Sequence, residues 1–235
     1  MQYFGGKQRI SKKISEVILP YSKNIDYIEP FVGSSNVMSK ITNAKNRFGY
    51  DKHFYLIQMY QALQKGWIPP DNITEEEYKH IKNNKDLFDP SLVGFVGFGC
   101  SYSGIWFSGY AKNNQERNYC KVSKNGIMKK MKTLKNVIYE CKDFSLLDFN
   151  NSIIYCDPPY KNTSPYNEEL LGKFDYDLFL KWTVKQSKKN RMFISEYKHN
   201  VPEYGKILWE ETRMRDIKGK NNKRVFTIEV LYTIN

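Results

Sequence analysis

The sequence lacks the residue spacings that build metal centres. Cysteine stands singly at Cys100, Cys120, Cys141 and Cys156, and the histidines are His53, His80 and His199. No C-x-x-C, H-x-x-x-H or H-E-x-x-H pair exists, so a zinc site has little to be made from and metal catalysis is set aside. A G-x-S-x-G elbow and a G-x-x-x-x-G-K-[ST] phosphate loop are also absent, which removes the common hydrolase and NTPase readings. No apolar run reaches the ~18 residues of a spanning helix, and the opening Met1-Gln2-Tyr3-Phe4-Gly5-Gly6-Lys7 has no signal-peptide stretch. A soluble, cytoplasmic protein is expected.

What is present is a folded, basic chain. Its 235 residues suit one large domain, or one large and one small, and 40% hydrophobic with 15% aromatic residues is too rich for a disordered tail. Lys and Arg number 37 against 25 acids, a formal net charge of +12 that attracts polyanions such as nucleic acid or an anionic membrane.

Strands and helices alternate at both ends of the chain. Ile10, Ile14, Val17 and Ile18 fall at helical spacing, with Pro20 expected to close the segment. Ile25 to Ile28 reads as a strand entering the turn Glu29-Pro30-Phe31-Val32-Gly33-Ser34-Ser35-Asn36, after which a helix should start. A second strand, Arg47 to Tyr50, ends on Asp51, a helix follows from Phe54 to Lys65, and Thr74 with Glu77 forms a capping box. Between Asp89 and Tyr119, glycine, serine and aromatics follow no single period, and the stretch reads as an irregular inserted segment. Beyond it come a helix around Ile127, Met131 and Leu134, strands Val137 to Cys141 and Ser152 to Cys156, a helix from Asp175 through Trp182, and a strand Met192 to Ser195. Two β-rich segments, Lys206 to Trp209 and Val225 to Ile234, close the chain. This order predicts an α/β fold with a mostly parallel sheet and an antiparallel edge, with no internal repeat and no linker between autonomous domains.

In such a sheet, ligands bind outside the carboxyl ends of the strands, near the point where strand order reverses. Glu29, Asp51 and Asp143 fall at predicted strand ends, the layout a nucleoside cofactor would use for its ribose hydroxyls and adenine. The glycine turn taken alone reads as an ordinary tight connection. Asp157-Pro158-Pro159-Tyr160 is sharper, because two prolines after an apolar strand make a rigid loop that presents acceptors. A carboxylate and a proline carbonyl side by side can accept both hydrogens of an exocyclic amine, and Tyr160 offers a face on which a base can stack. Cys156 precedes this acid and reads as a buried strand residue, not a nucleophile. Two basic runs, Lys121 to Lys135 and Arg213 to Arg224, each fit a solvated face when taken alone. With the net charge and a base-stacking motif beside them, they read as phosphate contacts.

Taken in order, the Glu29 to Gly33 turn, Asp51, Cys141-Lys142-Asp143-Phe144 and Tyr155-Cys156-Asp157-Pro158-Pro159-Tyr160 resemble the S-adenosylmethionine-dependent DNA adenine-N6 methyltransferases of the alpha group. Tyr3-Phe4-Gly5-Gly6-Lys7 is similar to that family's opening cofactor motif. The resemblance implies a Rossmann-like methyltransferase fold with a mixed seven-stranded sheet, a catalytic domain formed by residues 1–65 and 122–235, and an inserted target-recognition segment at 66–121. It further implies that Tyr3, Lys7, Glu29, Phe31, Gly33, Asp51, Asp143 and Phe144 contact the cofactor, that Asp157, Pro158, Pro159 and Tyr160 are catalytic, and that Lys112, Arg117, Arg213, Arg215 and Lys218 contact DNA. The implied reaction flips an adenine out of double-stranded DNA and methylates N6 directly, in a free-standing enzyme or one paired with a cognate restriction endonuclease, without membrane or metal. Methylation of RNA or protein glutamine, or a catalytically silent nucleic-acid-binding relative, is the alternative; relatives acting on glutamine and many acting on RNA usually carry Asn at the Asp157 position. The family usually has Gly-x-Gly in the first turn, where this chain has Gly33-Ser34-Ser35, so a Cβ at Ser35 is expected to crowd the turn and weaken cofactor binding if φ is positive there.

Overall fold

A computed structural model describes residues 3, 5–113, 117–161, 171–216 and 224–234. Among them, strands β1 (Asp26–Glu29), β2 (Arg47–Asp51), β3 (Val137–Cys141), β4 (Ser152–Cys156), β5 (Arg191–Tyr197), β6 (Gly205–Asp216) and β7 (Arg224–Ile234) form one sheet in the order β3-β2-β1-β4-β5-β7-β6. The pairs β3-β2, β2-β1, β1-β4 and β4-β5 are parallel, while β7 runs antiparallel to both β5 and β6. Every residue of β4 is buried, as a central parallel strand covered on both faces requires.

Two apolar clusters cover the two faces of the sheet. One joins α1 (Ser11–Ser22), α2 (Phe54–Gln64), α4 (Pro90–Gly99) and α5 (Tyr119–Leu134); the other joins Phe144, Phe179, Trp182 and the facing residues Ile28, Ile154, Ile194 and Val230, with α6 (Tyr176–Ser187) supplying Phe179 and Trp182. Helices on both faces of a mainly parallel sheet make the α/β class read from the sequence, with its antiparallel edge. Strand order reverses between β1 and β4, so the crevice above their carboxyl ends is the place for a ligand.

Three local expectations are corrected. Helix α1 runs through Pro20 to Ser22, because only its last turn lies beyond the proline and buried Ile14, Ile18 and Ser22 hold it. After Asn36 the chain makes a single 3-10 turn, Met38–Lys40, in place of a helix. The stretch read as irregular contains α4, opened by the Asp89 cap with Pro90 in its first turn. That helix is buried on nearly every side, which erases the apolar stripe that reveals a surface helix. Its glycines allow close approach: a Cβ on Gly94 would stand 2.2 Å from the Tyr55 carbonyl oxygen, and one on Gly97 would stand 2.2 Å from the Trp106 ring. Helix α3 (Glu75–Asn83) opens with the expected Thr74–Glu77 capping box.

Candidate active site

The turn after β1 is gripped from four directions. Gly33 and Ser35 both have positive φ, +43° and +52°. The Ser35 Cβ is accommodated in this strained conformation, and its Oγ lies 3.1 Å from the Tyr139 hydroxyl inside the core. Tyr60 donates its hydroxyl to the Gly33 carbonyl at 3.0 Å. Gly6 lies against Ser34, where a Cβ would come within 2.9 Å of Oγ, and the Tyr3 ring covers Gly33 while touching Phe98 of α4 at 4.9 Å. From α5, Lys130 donates to the Ser34 carbonyl at 2.6 Å and to Asn36 Oδ1 at 2.5 Å. Burial lowers the Lys130 pKa to about 8, against the pull of Glu29. Lys130 is therefore a strut of this turn, which corrects its reading as a phosphate contact; Lys124 likewise pairs with Asp71 at 3.2 Å, whereas Lys121, Lys129, Lys132 and Lys135 are exposed.

The predicted cofactor acids are held in different ways. Asp51 accepts the Gly33 amide at 3.0 Å and the His53 amide at 2.9 Å, and burial still pushes its pKa up to about 6. Glu29 accepts the Tyr27 hydroxyl at 2.8 Å and the Met38 amide, while burial first, and then the neighbouring Asp157, raise its pKa to about 8. Asp143 caps the one-turn helix Phe144–Leu146 by accepting from Ser145 N and Oγ at 2.9 and 2.7 Å, with Lys52 at 3.4 Å. Burial opposes ionisation of Asp143, but those partners outweigh it and lower its pKa. Phe31 and Phe144 meet at 5.4 Å, joined by Phe174 and Phe179.

At the end of β4 a second cluster forms. Lys7, only 7% exposed, puts Nζ 2.6 Å from Asp157 Oδ1 and 3.4 Å from Glu229 Oε1. The same ammonium lies 4.6 Å over the centre of the Tyr160 ring, whose hydroxyl donates to Glu229 Oε1 at 2.8 Å. Burial would lower the Lys7 pKa, but Asp157 and Glu229 raise it further than burial depresses it. Burial, Asp157 and Glu229 all push the Tyr160 phenol well above its ordinary range. Pro158 is buried and Pro159 exposed. Lys7 thus pairs with Asp157 at the end of β4, where the resemblance implied a contact with the cofactor.

Glu229 was not singled out in the sequence; its one signal is an acid inside the otherwise uncharged run Val225 to Ile234. Buried Glu196 was missed as well. It accepts from the Lys161 amide at 3.2 Å, from Asn200 Nδ2 at 3.2 Å and from the Tyr176 hydroxyl, and burial raises its pKa.

The predicted DNA contacts Lys112 and Arg117 make their side-chain contacts outside both clusters. Lys112 is exposed and pairs with Glu75 at 2.9 Å, and Arg117 lies 5.4 Å over Tyr119. Arg213 and Arg215 are placed through the backbone alone, opposite Thr227 and Val225 in the β6-β7 ladder, and Lys218 lies outside the described residues. Trp106 and Phe107 pack with Phe98, His53 and Tyr78 and so serve the core. An open cleft of about 560 Å³ lies at the opposite ends of the strands, beside Ile25, Ser152 and Arg191, away from these acids. No helix among the described residues is long and apolar enough to cross a membrane, and no group of metal-ligating side chains is present among them.

A sheet in the order β3-β2-β1-β4-β5-β7-β6 with only β7 reversed, carrying strand-end acids and a proline-rich loop at its switch point, is the Rossmann-like methyltransferase fold. Residues 3–92 match the family model of the D12 class N6 adenine-specific DNA methyltransferases, which carries the resemblance over that segment. The type II methyltransferase M.FokI of Planomicrobium okeanokoites is 23% identical over 205 residues, 75% of this chain, and the chain spans 31% of that relative's length. Among solved structures, yhhF of Escherichia coli, assigned as a methyltransferase, aligns with 97% of this chain and 85% of its own at 10% identity and a TM-score of 0.43. TrmN of Thermus thermophilus aligns with 95% of this chain and 48% of its own at 7% identity and a TM-score of 0.39.

Proposed function

We propose that this protein transfers a methyl group from S-adenosylmethionine to the exocyclic N6 of adenine in double-stranded DNA. The observation that carries the proposal is Asp157-Pro158 at the end of β4, one strand from the Glu29 to Asn36 turn, within a chain whose residues 3–92 match adenine-specific DNA methyltransferases.

The residues present fit the cofactor. Gly33 lies tight under the Tyr3 ring, where a Cβ would press to 3.2 Å, and its amide donates to Asp51 at 3.0 Å. With a pKa of about 6, Asp51 is ionised at neutral pH and suits the ribose hydroxyls; Asp143 with Phe144 suits the adenine, and Phe31 and Gly33 the methionine side. S-adenosylmethionine, when bound, supplies an electrophilic methyl group on a sulfonium.

The chain's own residues prepare the acceptor. Asp157 and the Pro158 carbonyl accept the two hydrogens of the amine, which turns its lone pair out of conjugation with the ring and aims it for in-line attack. Paired with Lys7, Asp157 works as a hydrogen-bond acceptor and electrostatic partner of the amine as positive charge builds on it. A base paired in the duplex hides N6, so the target leaves the stack and Tyr160 receives it. Because the Lys7 ammonium covers that ring, stacking there requires Lys7 to yield the face or the base to take the other one.

Residues 66–121 are proposed to read the target sequence through Lys112 and Arg117. The exposed lysines of α5 and the β6-β7 hairpin with Arg213, Arg215 and Lys218 would hold phosphates. The experiment is methyl incorporation from labelled cofactor into duplex DNA and into RNA side by side, followed by nucleoside analysis. N6-methyladenine in the DNA alone is expected; product confined to RNA, or no incorporation, overturns the proposal.

A further inference from the structure

Lys7, Asp157 and Tyr160 belong to the motifs that carry the proposed function, but the residue that ties them together does not. We propose that Glu229 is a positioning residue of this site, one that from β7 anchors the Tyr160 phenol and holds Lys7 beside Asp157. The inference rests on the function proposed above and deepens it.

Glu229 is 3% exposed, between Ile228 and Val230 in the central part of β7 and opposite Tyr197 of β5. A carboxylate at such a place is costly unless it is paired and hydrogen-bonded. Its partners include two side chains that flank the proposed catalytic acid: the Tyr160 hydroxyl at 2.8 Å and Lys7 Nζ at 3.4 Å. The phenol is thereby pinned at its far end, with the ring edge-on to Tyr197 at 4.7 Å.

Lys7 is shared. With Asp157 as its only carboxylate, the ammonium would compete with an arriving amine for that acid's oxygens. With Glu229 as second partner, Asp157 can turn toward the amine while the cation stays compensated. Among the described residues, the ionisable groups facing Lys7 are Asp157 from the end of β4, Glu229 from β7 and Tyr160 from the loop, with the Gly5 carbonyl at 3.3 Å, and the two carboxylates raise its pKa despite burial. Glu229 therefore acts through Lys7 and Tyr160 and needs to touch neither base nor cofactor.

The test compares Glu229→Gln, which keeps an acceptor for Tyr160 but loses the charge that holds Lys7, with Glu229→Ala, which loses both. In Glu229→Gln, kcat is expected to fall about tenfold and in Glu229→Ala nearer a hundredfold, with KM for the methyl donor unchanged; these are the kinetic equivalents of losing one or two interactions with a charged group. Lysine side-chain NMR, with Lys7 assigned through Lys7→Arg, should show the Lys7 pKa lowered in both variants. Wild-type kcat in both variants, or equal losses with the Lys7 titration unmoved, overturns the inference. If Glu229→Ala fails to fold, Glu229→Gln decides by the same two readouts. A wild-type protein that transfers no methyl group overturns the proposed function instead, and the Lys7 titration then decides alone whether Glu229 holds the pair.

Discussion

Three acids end three adjacent strands, and each is held differently. On β2, Asp51 is held by backbone amides of Gly33 and His53; just past β4, Asp157 is held by the ammonium of Lys7; between them on β1, Glu29 has a tyrosine hydroxyl and an amide. Amides belong to the turn itself, so the Asp51 side of the crevice is fixed once the backbone is folded. A lysine can shift between carboxylates, so the Asp157 side can rearrange when a substrate arrives. The proposed cofactor site and the proposed target site would make these opposite demands, since one holds a ligand in place and the other must exchange hydrogen bonds during a reaction.

Glu29 gives the sharpest way to probe this contrast. Its pKa rises from 4.5 to about 8, so the folded state binds its proton more tightly than the unfolded state. The contribution of Glu29 to stability is therefore fully present below pH 4.5 and is lost as pH rises toward 8. Glu29→Gln mimics the protonated acid and keeps an acceptor for Tyr27. Its stability relative to wild type should therefore grow between pH 4.5 and 8, by roughly 5 kcal/mol. Urea unfolding across that pH span checks this, and a constant difference would mean that Glu29 is ionised throughout.

A smaller effect separates the two kinds of lysine on α5. Lys130→Met leaves the Ser34 carbonyl and Asn36 Oδ1 without their cation and should cost about 1–3 kcal/mol of stability while leaving the salt slope of DNA binding intact. Neutralising exposed Lys121, Lys129 and Lys132 together should do the reverse, reducing the slope by up to about three if each meets one phosphate, with stability changed by at most about 0.5 kcal/mol per site. Unfolding curves and affinity against salt make the comparison. A slope change from Lys130→Met would return that residue to the DNA-facing set.

The same contrast explains what was legible in the sequence. Asp51, Asp143 and Asp157 follow apolar runs, so their strand-end places could be read from pattern, and the capping box at Thr74 is complete within four residues. Helix α4 was hidden because burial on all sides leaves no period, and the end of α1 because tertiary packing overrode a proline. Ser34, Ser35 and Asn36, which lead into the short 3-10 turn, are held by Lys130 and Tyr139, which come from remote parts of the chain. Glu229 was illegible for that reason too: its Tyr160 partner lies 69 residues away, and nothing beside it in sequence calls for a carboxylate. Contacts made by the local backbone leave marks in the nearby sequence, while ion pairs across the sheet leave only a charge in an apolar run.

The most direct measurement is nucleoside analysis of duplex DNA incubated with S-adenosylmethionine and either the wild-type protein or Asp157→Ala, with cofactor binding followed in parallel. The account predicts N6-methyladenine with the wild-type protein and none with Asp157→Ala, while that variant still binds the cofactor through the Asp51 side. Wild-type methylation by Asp157→Ala, or a methyl group carried by another base, would contradict it.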